Sequence, residues 1–170
     1  IIIVSSDNGP EPGAGLAGPF RGHKGTLYEG GFREPFIVWA PGFMAESARG
    51  TMNDRSVVSA LDLLPSLARL AGVQLPKGVQ FDGEDFSETF LGRTTQTRMR
   101  PLFWNRPPDR PGSNGERWPD LAMRDGDWKL LLMEDGSQPQ LYNLAEDSGE
   151  SQNQAAKHPD LVKRLSGQLL

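Results

Sequence analysis

The chain opens on four consecutive apolar residues, Ile1-Ile2-Ile3-Val4, followed at once by Ser5-Ser6-Asp7-Asn8-Gly9. No other feature restricts the fold as much. An unbroken β-branched run without alternation predicts a strand over residues 1–5 that is buried on both faces, as in parallel sheets covered by helices. The Asp-Asn-Gly turn signal then falls at the carboxyl end of that strand, the edge where open α/β sheets bind ligands. The run is too short to span a bilayer, and it has neither the basic flank nor the cleavage site of a signal peptide. A central strand needs neighbours on both edges, so the chain reads as a fragment of a larger fold.

The remaining pattern divides in two. Residues 35–40 form a second short apolar strand, stopped by Pro41-Gly42. Leu63, Leu64, Leu67 and Leu70 recur at helical spacing over residues 61–70, with Asp62 as the expected N-cap, Pro65 in the first turn and Gly72 beyond the last. Residues 93–100 are polar and charged and mark a boundary. Beyond it come a strand at 102–104, a Pro/Arg/Gly loop at 105–118, and a hairpin over 121–133 turning at Asp125-Gly126. A strand at 141–144 follows, then an amphipathic helix over 159–170 with Leu161, Val162, Leu165 and Leu169 on one face. The expected fold class is α/β: residues 1–95 as part of a larger α/β domain, and 96–170 as a small subdomain of antiparallel sheet plus terminal helix. The 20 Gly and 14 Pro imply much loop, and there is no internal repeat.

Eighteen Lys+Arg against 22 Asp+Glu, scattered along the chain, give a net charge of −4. No basic patch marks a nucleic-acid partner. With no Cys, disulfides and thiolate metal sites are excluded from this segment. Asp7 and Asn8 offer a carboxylate and an amide oxygen side by side, hard donors that suit Ca²⁺ or Mg²⁺ better than zinc; the same residues also make ordinary turns. Residues 20–35 set a single lysine, Lys24, among glycines, where backbone can approach a ligand closely and an ammonium can meet an oxyanion. A solvated surface loop is the alternative.

Taken in order, Ser6-Asp7-Asn8-Gly9, Gly18-Pro19-Phe20-Arg21-Gly22-His23-Lys24-Gly25-Thr26 and Glu29-Gly30-Gly31-Phe32-Arg33-Glu34-Pro35 resemble the arylsulfatase family of the alkaline-phosphatase-like superfamily. The likeness continues through Asp62-Leu63-Leu64-Pro65-Ser66-Leu67, Phe81-Asp82-Gly83-Glu84-Asp85-Phe86-Ser87, Met123-Arg124-Asp125-Gly126-Asp127-Trp128-Lys129-Leu130 and Gln140-Leu141-Tyr142-Asn143-Leu144. It implies a sulfuric ester hydrolase acting on a small-molecule or saccharide sulfate, in a periplasmic, secreted or lysosome-like setting. It further implies that Asp7 and Asn8 ligate one Ca²⁺ with two acidic residues from upstream, and that Lys24 binds sulfate oxygens. The family nucleophile is a formylglycine made from Cys or Ser in a motif far upstream. Ser113 and Arg117 stand at the right separation for that motif but with Gly115 between them, and are rejected. By the same resemblance His23 is a neighbour of the substrate rather than a catalyst, and His158 a surface residue. Glu29 and Arg33 are expected to pair and hold the lysine loop, as buried charges need partners.

Two other readings stay open. One is a phosphonate or phosphate ester hydrolase of the same superfamily. Its two-zinc members carry His where Asn8 stands, which disfavours them. The other is a sulfatase-like binding module without catalysis. The loop at 105–118, with Arg106, Arg110, Arg117 and Trp118, reads equally as a substrate contact or a solvated loop. The fragment alone is expected to turn nothing over, because it holds charges but no nucleophile.

Overall fold

The computed structural model describes residues 1–107 and 117–170; Arg110 and Ser113 lie outside the described residues. In chain order its elements are β1 (Ile2–Ser5), α1 (Glu29–Phe32), β2 (Phe36–Trp39), α2 (Leu63–Leu70), α3 (Ser87–Phe90), β3 (Leu102–Asn105), β4 (Leu121–Asp125), β5 (Trp128–Leu132), β6 (Gln140–Asn143) and α4 (Pro159–Leu169). They fall into two units, one of Ile1–Val4 with Phe36–Met99, the other of Ser5–Pro35 with Arg100–Leu170.

In the first unit β1 pairs with β2 alone. The strand expected at 1–5 is present, but its burial is not: Ile2, Val4, Ile37 and Trp39 are each more than half exposed. A two-stranded ladder has too little surface to cover its own faces. Its buried hydrophobic core is small, namely Ala40, Phe86, Phe90 and Leu91, with the Phe36 and Phe90 rings 5.2 Å apart. Asp62 stands at the N-cap position of α2, as expected, but its side chain makes no cap hydrogen bond there; Ser59 caps the short 3₁₀ turn over Ala60–Asp62 that leads into the helix. Leu61 N–H donates to Ser59 Oγ, and Ser59 N–H donates to Asp62 Oδ2 at 2.7 Å, a reciprocal capping box. Asp62 is fully buried; its other oxygen accepts from Glu84 N–H at 2.8 Å, and Arg98 donates to Oδ2.

The second unit is a four-stranded antiparallel sheet in the order β3-β4-β5-β6 with α4 packed on it, as the pattern after residue 100 predicts. The hairpin between β4 and β5 pairs Asp125 with Trp128, so its two loop residues are Gly126 and Asp127. Gly126 takes a φ of 60°, which suits glycine at the first loop position of a tight hairpin. Both faces of the sheet are covered. Met123, Leu130, Leu132 and Leu141 meet Leu161, Val162, Leu165 and Leu169 of α4. On the opposite face Ala122, Leu131 and Tyr142 meet Leu27, Tyr28 and Phe32 from the Gly-rich segment. This double cover explains the unbroken apolar run at 130–133. It also fixes the segment that carries Lys24 against a rigid sheet.

Candidate functional site

Residues 9–31, too irregular in sequence for a regular element, are indeed mostly turns, ending in the single helical turn α1. Lys24 sits at the second position of a tight turn closed by Thr26 N–H donating to His23 C=O at 3.0 Å. The third position is Gly25 with a φ of 87°, the value a type II turn demands there and a side chain resists. The buried Thr26 hydroxyl braces the turn: it donates to His23 C=O at 2.8 Å and accepts from His23 N–H at 3.2 Å.

The turn is tied to the Asp-Asn-Gly segment. Lys24 N–H donates to Pro10 C=O at 3.1 Å, and Gly9 N–H donates to Gly31 C=O at 2.8 Å. The approach is so close that a Cβ on Gly9 would lie 1.9 Å from Gly30 O. The candidate metal pair and the candidate sulfate-binding lysine therefore occupy adjoining segments of one unit. The Lys24 ammonium lies 3.2 Å from Glu11, with both side chains well exposed. Such a pair is worth about 0–1 kcal/mol, little enough for an arriving anion to displace.

Asn8 turns its Nδ2 onto Gly9 C=O at 2.9 Å. That leaves the amide oxygen, beside the exposed Asp7 carboxylate, as the donor for a ligand. Burial, and then the nearby Asp7 charge, push the Glu34 carboxyl above its ordinary range. The donors here are oxygens, one from a carboxylate and one from an amide, so the residues fit one hard divalent cation. They make only part of a coordination shell: among the described residues no three His, Cys, Asp or Glu side chains cluster to hold a metal.

His23 is half-buried, its Nδ1 2.8 Å from Lys24 C=O and its ring edge-on to Trp118 at 5.1 Å between centroids. Arg106 is buried, with its guanidinium 3.3 Å from Asp120 and 5.6 Å from the Trp118 ring centroid. Trp118 thus stands beside the lysine turn, and Arg106 is built into the sheet edge rather than offered to solvent. Arg117 is exposed. His158, expected at the surface, is half-buried and packs against the Trp128 ring at 5.1 Å.

Glu29 and Arg33 do pair, at 3.4 Å. The nearer partner of Glu29 was not foreseen. The fully buried Lys129 ammonium lies 2.9 Å from Glu29 Oε1 and 2.8 Å from Glu150 Oε1. The only signal for it in sequence is a lone charge inside the apolar stretch of β5.

The Sulfatase family model matches residues 1–73. The chain is 34% identical to human arylsulfatase A over 90% of its own length and 33% of that protein's. It is 29% identical to an N-acetylgalactosamine-6-O-sulfatase of Bacteroides thetaiotaomicron over 98% of the chain and 35% of the relative. Among solved structures, Ps i-CgsB in complex with k-i-k-neocarrahexaose superposes with a TM-score of 0.74 at 26% identity, over 99% of this chain and 36% of that one. The chain belongs to the sulfatase family, and its α/β fold with an antiparallel C-terminal sheet is that of the alkaline-phosphatase-like enzymes. It spans about a third of the length of the curated relatives it matches. Among the described residues no helix is long and apolar enough to cross a membrane.

Proposed function

We propose that this chain supplies the cation-binding pair and the sulfate-binding lysine of a sulfuric ester hydrolase whose nucleophile, a formylglycine, lies outside it. The observation that carries this reading is the hydrogen bond from Lys24 N–H to Pro10 C=O, which ties the lysine turn to the segment bearing Asp7 and Asn8. Asp7 and Asn8 would hold one Ca²⁺, which when bound stabilises negative charge on the ester. Lys24 exchanges Glu11 for a sulfate oxygen and places a fixed positive charge where charge develops, and this lowers the barrier without proton transfer by the chain itself. His23, next to Lys24 in the chain, packs edge-on against Trp118 and would put these two half-buried rings near the bound ester. Saccharide sulfates are the favoured substrate class, because a relative named an N-acetylgalactosamine-6-O-sulfatase matches 98% of the chain and a similar solved structure holds an oligosaccharide, k-i-k-neocarrahexaose.

The test is Lys24→Ala in the complete protein, assayed with an aryl sulfate and with sulfated saccharides. Turnover is expected to fall by about 10²–10³-fold with the fold retained, the usual cost of one preorganised charge contact. Near-normal turnover removes Lys24 from the site. Metal analysis of the native protein is expected to find calcium, and near-stoichiometric zinc would refute that assignment. The 170 residues alone are expected to release no sulfate.

A further inference from the structure

A buried charge cluster joins the lysine loop to the far end of the chain. Glu29 opens α1, five positions after Lys24. Its carboxylate meets the Lys129 ammonium at 2.9 Å, and its backbone N–H donates to Glu150 Oε2 at 2.6 Å. Lys129 lies 2.8 Å from the second Glu150 oxygen and 4.5 Å above the Phe32 ring. Glu29, Lys129 and Glu150 are each at most 1% exposed. Arg33 and, at 4.0 Å, Arg124 complete the charge around Glu29. The other end of the loop is tied to the same place. Arg21 donates to the Tyr142 hydroxyl at 2.9 Å and to Glu150 C=O at 3.3 Å, and it stacks over the Tyr28 ring at 3.9 Å.

Burying three charges of this kind is costly, and an apolar trio of equal volume is often as stable or more so. Fold stability alone does not account for the arrangement. What it supplies is direction. Both flanks of the Lys24 turn are fastened to one carboxylate-bearing segment, at residue 150, whose φ of 53° is a strained value for Glu.

We infer that Lys129 and Glu150 are positioning residues for Lys24, holding the lysine turn in register with the sulfate through Glu29 and Arg21. They touch no substrate. The inference rests on the proposed role of Lys24. A misplacement of about 1 Å by a change remote from the chemistry costs up to about 10²-fold in rate, so their loss is expected to appear in kcat.

The experiment is a double-mutant cycle in the complete protein with an aryl sulfate. Lys129→Met is expected to lower kcat by about 10–100-fold in the wild-type background, and to cost almost nothing further when Lys24 is already Ala, because no ammonium remains to be misplaced. Glu150→Gln, which keeps an acceptor for Glu29 N–H, is expected to show a smaller loss with the same dependence on Lys24. It carries the test if Lys129→Met does not fold. An equal fold-loss in both backgrounds overturns the inference, since general loosening of the structure would not depend on Lys24. Unchanged kcat in either folded variant overturns it as well. Undiminished turnover in Lys24→Ala alone removes the functional reading, and this inference with it.

Discussion

The two units of the chain each bury a cluster of charges, yet only one closes an apolar core around it. In the Ser5–Pro35 and Arg100–Leu170 unit, Glu29, Lys129 and Glu150 lie under a sheet whose residues Ala122, Met123, Leu130, Leu131 and Leu132 are wholly buried. In the Ile1–Val4 and Phe36–Met99 unit, Asp62 and Arg98 are buried with comparable care, but Leu61, Leu64 and Leu67 face solvent. The helix α2 docks by its polar side. Ser66 Oγ accepts from Phe86 N–H at 2.8 Å and donates to Glu84 C=O, while the leucine stripe is left uncovered. Hydrophobic periodicity therefore predicts that a helix has a partner, but not that the partner lies in the same segment. Exposed apolar patches of this kind mark surfaces that meet something else.

The comparison can be broken at four places, taken here from the largest effect down. Asp62→Ala leaves the Arg98 guanidinium buried without its carboxylate and is expected to cost about 3–5 kcal/mol. Hydrogen exchange should show amides of residues 57–98 losing protection while those of β4 and β5 keep theirs. Collapse of both units together would show that they do not melt separately. Leu131→Ala, at a fully buried position, is expected to cost about 2–5 kcal/mol by denaturant titration. A cost below about 1 kcal/mol would mean that the sheet core is looser than its burial implies.

The third prediction concerns pH. Burial raises the Glu150 carboxyl, with Lys129 opposing and Glu29 reinforcing the shift. A folded-state value above the unfolded one means that the folded chain holds the proton more tightly. The associated stability is complete below the ordinary carboxylate range and is lost as pH rises through the folded-state value. Melting temperature is expected to fall across that window, and Glu150→Gln to flatten the slope. A slope unchanged in the variant would assign it to another group. The smallest effect is Ile37→Thr on the exposed face of β2, expected to change stability by no more than about 0.5 kcal/mol while reducing binding of a hydrophobic dye. A large loss would mean that this face is already covered.

Much of the fold is legible in the sequence alone. The leucines of α4, the Asp125-Gly126 hairpin signal and the short strands after residue 100 are local patterns, and they gave the small sheet and its helix. Asp7, Asn8 and Lys24 are named as candidates by the resemblance to the sulfatase family; taken alone, the same residues read as an ordinary turn and a solvated loop. The rest depended on distance along the chain. Lys129 is a lone charge beside an apolar run, and its carboxylate partner Glu29 lies 100 positions away, beyond the reach of any local pattern. Asp62 holds the N-cap position that the leucine run implies, but a 3₁₀ turn capped by Ser59 precedes it and draws its carboxylate back to Ser59 N–H instead. The burial of β1 failed for a different reason. A β-branched run specifies a strand, but its cover must come from residues the local sequence does not name.

The contact from Glu29 N–H to Glu150, 121 positions apart, has a consequence for synthesis. During translation the segment bearing Asp7, Asn8 and Lys24 leaves the ribosome long before residue 150 does. Until that carboxylate arrives the loop can close only by non-local pairing that is not yet available, the slow kind of step in folding. A premature stop just after β6 would delete no candidate ligand and no candidate catalytic residue. It would still release the lysine turn from its anchor, so a segment more than a hundred residues downstream decides how the proposed site charges are held.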